Sequence, residues 1–156
     1  MSFFKTALFV LILVCIDQTF KFWVASNLIL GESYILLPIL NLTLVHNYGI
    51  AFSLFYDVTL SNRWILVTLV SFIVFYLAFL ISKLEKKDSL EYFSLTLIIS
   101  GGLGNLIDRS LLGYVIDFIH VHYLDYSFYI FNFADIFITI GVLFYIVHFL
   151  SEKSNL

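Results

Sequence analysis

Four long apolar runs dominate the chain, and short segments of mixed character separate them. The runs cover about 6–24, 63–82, 92–109 and 132–150. Each is about as long as a helix that crosses the hydrocarbon core of a bilayer, which needs roughly 20 residues. The pattern therefore predicts four membrane-spanning helices.

The two longer connecting segments have the pattern of surface strands. Segment 26–62 contains the single proline, Pro38, and an apolar, β-branched stretch that Asn41 interrupts. This composition predicts short strands that form a small β-sheet cradle at the membrane surface. In the loop 110–131, alternation around Asp117 predicts one short strand or an extended re-entrant piece.

Polar residues inside the runs follow helical spacing. Asn105, Asp108 and Arg109 share one face of the third run, and Asn132 and Asp135 share one face of the fourth. A charged group that faces hydrocarbon costs several kcal/mol, so these faces must look into protein or water. Ionisable residues at membrane depth are therefore candidates for a functional site.

Two further polar groups allow two interpretations each. Asp17 and Lys21 lie one helical turn apart and can form a neutralised pair near the interface, or Lys21 can reach outward to headgroups or substrate. Asn47 and Gly49 favour a tight turn, although Asn47 can also hydrogen-bond a peptide. A cleaved signal peptide is the alternative for the first run, but Asp17, Gln18 and Lys21 follow where small residues would be expected.

Composition agrees with a membrane protein. Hydrophobic residues make up 62% of the 156 residues and charged residues 12%, whereas soluble domains carry about a quarter charged residues. We expect one integral membrane domain over 1–156, and no basic run indicates a nucleic-acid partner. The lone Cys15 cannot form an internal disulfide, and we expect it to be a buried small hydrophobe.

The distribution of lysines predicts the orientation. One set of span ends carries most of the basic residues, which are Lys5, Lys83, Lys86, Lys87 and Lys153. The positive-inside rule assigns that side to the cytoplasm, so we expect both termini there. Asn47, Asp117 and Asp135 then gather at the outer leaflet of the membrane.

Asp117 and Asp135 are the strongest candidates for chemistry. Two neighbouring carboxylates cannot both ionise easily, so one keeps its proton. The ionised group can deprotonate water while the protonated group polarises a peptide carbonyl, which is aspartic-protease chemistry and needs no cofactor.

Two alternatives compete with this assignment. Asp117, His120 and His122 have a metal-ligand spacing, but on a strand Asp117 would point away from the two histidines. A small transporter or channel subunit with a proton-relay carboxylate network would also contain ionisable residues in its spans. The ionisable residues cluster at one side of the membrane, and the interior of the second span contains none, which favours the peptidase.

At these positions the chain resembles lipoprotein signal peptidases, the bacterial signal peptidase II family of aspartic membrane peptidases, over nearly its whole length. Five blocks carry the resemblance, in chain order: Asp17-Gln18-x-x-Lys21, Asn47-x-Gly49-x-Ala51-Phe52, Gly101-Gly102-x-Gly104-Asn105-x-x-Asp108-Arg109, Gly113-x-Val115-x-Asp117-Phe118 and Phe131-Asn132-x-Ala134-Asp135.

The resemblance implies a mainly α membrane protein, with four transmembrane helices and a small periplasmic β-sheet cradle, in the bacterial cytoplasmic (inner) membrane. It implies that Asp117 and Asp135 are catalytic. Supporting or substrate-binding roles are implied for Asp17, Lys21, Asn47, Gly49, Asn105, Asp108, Arg109 and Asn132. The expected substrate is a diacylglyceryl-modified prolipoprotein, cleaved before its lipidated cysteine by a monomer that contacts membrane phospholipid.

Overall fold

The structure, a computed structural model, describes residues 3–49, 60–84, 89–124 and 126–154. Its helices are α1 (Phe3–Asn27), α2 (Leu60–Lys83), α3 (Leu90–Leu111) and α4 (Phe133–Ser154). Its strands are β1 (Ser33–Leu37), β2 (Leu40–Asn47), β3 (Val115–Tyr123) and β4 (Tyr126–Phe131). In the described ranges all four helices are long and apolar enough to cross a membrane, which confirms the predicted fold class.

The four strands form one antiparallel sheet in the order β1-β2-β3-β4. Two of the four strands come from 110–131, where the sequence pattern predicts a loop with one short strand or an extended re-entrant piece. β3 is held against the bundle because Ile116 and Phe118 pack with Leu44 of β2 and Val24 of α1 in a small core. β4 then pairs with β3. Among its described residues, segment 26–62 contributes β1 and β2 to the sheet, while α1 extends to Asn27 and α2 begins at Leu60.

Helix α3 is the centre of the bundle. It packs against each of the other three helices. In the part of α3 that is long enough to cross a membrane, 56% of the residues are buried, against 11–17% in the corresponding parts of the other three helices. The least apolar of the four spans is therefore enclosed by protein, and the most apolar surfaces face outward, as lipid requires.

Small residues allow this close packing. A Cβ atom added at Gly101 would lie 2.2 Å from the Ala134 carbonyl oxygen, and one added at Gly104 would lie 2.6 Å from Asp17 Oδ2. The glycines of α3 thus lie where α4 and α1 approach this helix.

The expected burial of Cys15 is wrong, because this residue is exposed on the surface of α1. Its neighbour Asp17 is 1% exposed. In a bilayer a small apolar side chain is at no disadvantage on the lipid-facing surface, whereas a carboxylate must be enclosed. The polar groups therefore occupy the inner face of α1.

We expect Gly101→Ala to lower the free energy of unfolding by about 3 kcal/mol, because the new methyl group would collide with the α4 backbone. The measurement is thermal unfolding in detergent. Gly102→Ala is the matched control, since within the described part of the chain its Cβ would meet a single side-chain atom, Val74 Cγ2 at 3.0 Å, and no backbone. Equal stability of the two variants would contradict the close contact of α3 and α4.

Candidate active site

Asp117 and Asp135 line the same cavity. Asp117 lies in β3 and Asp135 in the first turn of α4, although they are separated by most of the β3–β4 hairpin. The cavity has a volume of about 820 Å³, and Asn47, Asn105 and Arg109 also line it. The fold therefore brings both candidate acids to one chamber.

Asn132 links the two carboxylates. Its side-chain Nδ2 donates to Asp117 Oδ1 at 2.6 Å, and its backbone N–H donates to Asp135 Oδ2 at 3.2 Å. Asp135 N–H donates in return to Asn132 Oδ1 at 3.0 Å. This reciprocal pair caps the N-terminus of α4, so the same bonds that begin the helix also hold Asp135 beside Asp117.

Two more asparagines hold the outer oxygens of the pair. Asn47 Nδ2 donates to Asp117 Oδ2 at 2.9 Å, and Asn105 Nδ2 donates to Asp135 Oδ1 at 2.8 Å. The Asn105 oxygen faces Lys21 Nζ at 3.0 Å. Because an ammonium group can only donate, this contact orients the Asn105 amide so that its NH₂ faces Asp135.

The setting of Asp117 favours its protonated form. Burial, and then the charge of Asp135, raise the pKa of Asp117 to about 7, against the lowering effect of hydrogen bonds from Asn47 and Asn132 and of the Lys21 charge. An ordinary aspartate has a pKa near 3.8. At neutral pH the pair can therefore hold one proton.

A buried ion cluster lies behind the carboxylates. Lys21 is 1% exposed, and its Nζ lies 2.9 Å from both Asp17 Oδ2 and Asp108 Oδ2. Asp17 also accepts a bond from Ala134 N–H at 2.9 Å, and Asp108 accepts one from Ile116 N–H at 3.1 Å. The cluster thus joins α1 and α3 to the backbone that carries Asp135 and Asp117.

Two arginines near the site donate hydrogen bonds to backbone carbonyls. Arg109 Nη2 donates to the Gly49 carbonyl at 2.8 Å, and Gly49 N–H donates to Asn47 Oδ1 at 3.0 Å. Arg63 donates through Nε to the Arg109 carbonyl at 2.8 Å and through Nη2 to the Ser110 carbonyl. Arg63 thereby satisfies carbonyls in the last turn of α3, which have no N–H partner within that helix.

Comparison with known proteins identifies the family. The family described as signal peptidase (SPase) II matches residues 9–151. The chain is 46% identical over 144 residues to the lipoprotein signal peptidase of Bartonella quintana, covering 91% of this chain and 83% of the relative. It is 38% identical over 153 residues to that of Streptococcus pyogenes, covering 96% and 97%. The chain belongs to the signal peptidase II family.

Solved structures agree. A bacterial membrane enzyme determined by the in meso method superposes with a TM-score of 0.85 at 30% identity, over 98% of this chain and 92% of that one. The chain is therefore a multi-pass membrane peptidase with the same fold. Family membership favours this function over the transporter or channel subunit considered from the sequence.

The structure separates the predicted site residues of the peptidase into two groups. Six residues line the cavity or bridge its acids, and they are Asn47, Asn105, Arg109, Asp117, Asn132 and Asp135. Asp17, Lys21 and Asp108 form the ion cluster behind them. Of the two interpretations of Asp17 and Lys21, the structure thus supports the neutralised pair and not a lysine that reaches outward. The Gly49 carbonyl accepts from Arg109. Asn47 closes the turn that the sequence favours, and its amide also donates to Asp117. A hydrogen bond from Asn47 to a peptide stays a prediction.

The histidines of the peptidase occupy a different part of the sheet. His120 lies between Thr43 Oγ1, at 3.2 Å from Nδ1, and Ser127 Oγ, at 2.7 Å from Nε2. Across the described residues, no three histidine, cysteine or carboxylate side chains form a group suited to a metal ion. The geometry thus gives Asp117 amide partners and His120 hydroxyl partners.

Sequence reasoning did not assign a role to Arg63. The signal for it was present, because Arg63 is a basic residue at the end of an apolar run opposite to the lysine-rich ends. Its partners are backbone carbonyls more than forty residues away in the chain. No local pattern could have identified them.

We expect Lys21→Met to lower the free energy of unfolding of the peptidase by about 3–5 kcal/mol, because it leaves two buried carboxylates without their cation. Thermal unfolding in detergent measures the loss. Lys83→Met is the control, since Lys83 is exposed at the end of α2 and its contact among the described residues is a cation–π contact with Phe79. A Lys21→Met protein as stable as the control would refute the structural role of the cluster.

Proposed function

We propose that this peptidase is an intramembrane aspartic endopeptidase that removes the signal peptide from diacylglyceryl-modified bacterial prolipoproteins. It would hydrolyse the bond before the lipidated cysteine. One observation carries the proposal: Asp117 and Asp135 line one cavity and share Asn132 as a hydrogen-bonding partner. The relatives from Bartonella quintana and Streptococcus pyogenes, which are named lipoprotein signal peptidases, supply the substrate class.

The chemistry follows from a pair of carboxyl groups with one proton. The ionised carboxylate takes a proton from water, and the resulting hydroxide bonds to the scissile carbonyl carbon. The protonated carboxyl donates to the carbonyl oxygen as negative charge develops there. The tetrahedral intermediate then collapses as the leaving nitrogen accepts a proton and the C–N bond breaks. Asp117, with its raised pKa, suits the protonated role.

The three asparagines suit this division of labour. Neutral amides hold the carboxylate oxygens in place without fixing the charge of either acid. A lysine or arginine in direct contact would favour two ionised carboxylates and remove the shared proton. Asn47, Asn105 and Asn132 are therefore positioning residues in the proposed mechanism.

The walls of the cavity suit an apolar signal helix. Apolar side chains from α2 and α4 surround the acids, among them Leu66, Leu69, Ile73, Ile136 and Ile140. A signal segment can lie against this surface while its diacylglyceryl chains stay in lipid. The proposed reaction requires no cofactor, and we propose a monomer.

The orientation of the chain is part of the proposal. The lysine-rich helix ends, where α1 and α3 begin and α2 and α4 end, lie opposite to the cavity end of the bundle. The positive-inside rule supports a cytoplasmic location for both termini and a site near the outer leaflet of the inner membrane. A lipid-modified precursor presents its cleavage site at that depth.

We expect Asp117→Asn and Asp135→Asn each to reduce cleavage of a diacylglyceryl-modified precursor by at least about a thousandfold, because each removes one half of the acid–base pair. The assay measures release of the signal peptide in detergent, with membrane insertion checked separately. Glu152→Gln is the control, because Glu152 lies on the last turn of α4, far along the chain from both acids, and is 72% exposed. Parental activity in either aspartate variant would reject the dyad.

The pH dependence of kcat follows from the pKa of Asp117. Because that pKa is raised to about 7, the pair keeps its proton below this value and loses it as pH rises further. We therefore expect kcat to fall as pH increases through about 7, with an apparent pKa that belongs to the pair. The measurement is a pH–rate profile at saturating substrate, with folding checked across the range. Activity that increases steadily to pH 9 would contradict a shared proton.

A further inference from the structure

The free edge of β4 faces the cavity that holds the two acids. In the sheet order, β4 is an outer strand that pairs only with β3 among the described strands. Four consecutive residues, Phe128 to Phe131, line the cavity. Neighbouring side chains of a strand point to opposite faces of the sheet, so a cavity that touches all four runs along the strand's edge.

The sheet register shows which backbone groups lie on that edge. His122 N–H donates to the Ile39 carbonyl at 3.0 Å, so the polar backbone groups of His122 face β2. Because these directions alternate along an antiparallel strand, those of Ile119 face β4. Ile119 is opposite Phe131, and His120 is opposite Ile130. The N–H and C=O of Ile130 therefore point away from β3, toward the free edge.

The edge ends at the acids. Phe131, the last residue of β4, precedes Asn132, which contacts both Asp117 and Asp135. The register shift between His120 and His122 places an extra residue in β4 opposite β3. Such bulges bend a strand and often lie beside active sites. A chain laid along β4 would thus run directly to the carboxylates.

We propose that the substrate residues at the scissile bond bind as an added strand on the free edge of β4. This inference rests on the proposed function. A helical signal segment must unwind before its carbonyl can be attacked, and each backbone group it frees at membrane depth needs a new partner. Among the described residues, nothing pairs with the outward N–H and C=O of Ile130, and these two groups need partners for the same reason. Pairing of the two edges satisfies both, and strand addition is a common way to bind an extended peptide.

The direct test is a backbone scan of the substrate with the unaltered enzyme. Diacylglyceryl-modified peptides that each carry one N-methyl group, at successive positions around the cleaved bond, would be compared by kcat/KM. We expect losses of about fivefold or more at every second position, because only alternate N–H groups of an added strand face β4 and each methyl group there removes one hydrogen bond. A profile without two-residue alternation overturns the proposal.

The enzyme itself offers a second test. Ile130→Pro removes the outward N–H of β4 and leaves the β3–β4 hydrogen bonds in place, so we expect KM for the unmethylated peptide to rise about tenfold. Ile35→Pro is the matched control at the opposite edge of the sheet. Ile35 is opposite Asn41, which bonds toward β3, so the Ile35 N–H also points outward. An equal KM for the two variants counts against the inference.

The outcomes separate this inference from the proposed function. If Asp117→Asn or Asp135→Asn cleaves normally, the acid mechanism fails regardless of the scan. If both are inactive and the methyl scan lacks alternation, only strand addition fails. Loss of a dimer in Ile130→Pro, measured by light scattering together with a flat scan, would assign the edge to a second copy of the chain and also overturn the proposal.

Discussion

The buried contact of Lys21 with Asp17 and Asp108 is the interaction on which the rest of the structure depends. Removing these charges from water costs several kcal/mol each, and the cost is recovered only when the partners meet with good geometry. Both carboxylates also accept backbone N–H bonds, from Ala134 and Ile116. The ion cluster can therefore form only when α1, α3, β3 and the start of α4 are all in place.

The cost of burying carboxylates also governs the candidate active site, but there the partners of the carboxylates are amides. Asp117 and Asp135 are surrounded by amides where Asp17 and Asp108 are bound to a cation. An ammonium group in contact favours the charged form of a carboxylate more strongly than a neutral amide does. The two clusters touch through Asn105, whose oxygen faces Lys21 and whose NH₂ faces Asp135. The rigid ion cluster and the pair of acids that shares a proton are thus separated by one side chain, Asn105.

The surrounding fold serves both clusters. Glycines on α3 let α1 and α4 approach closely enough for the polar groups to meet. The sheet supplies Asn47 and Asp117 on neighbouring strands, and Arg63 satisfies the carbonyls where α3 ends. An apolar cavity then surrounds the acids, which raises the pKa of Asp117 and suits an apolar substrate segment.

Local patterns in the sequence determined much of the fold and of the candidate site. Membrane-length apolar runs and helical spacing are properties of neighbouring residues, and they predicted the four spans and the polar face of Asn105, Asp108 and Arg109. Asp117 and Asp135 stood out as carboxylates near one membrane surface, and the family resemblance named them as catalytic.

Only the tertiary structure decided where the remaining groups point. Whether Lys21 faces inward or outward depends on Asp108, which lies in another helix, and the partners of Arg63 lie more than forty residues away. The pairing of β4 with β3, the bulge and the free edge beside the acids also depend on register between strands. Long-range hydrogen bonds and the cost of burying charge determine these side-chain directions and strand registers, and no local pattern contains them.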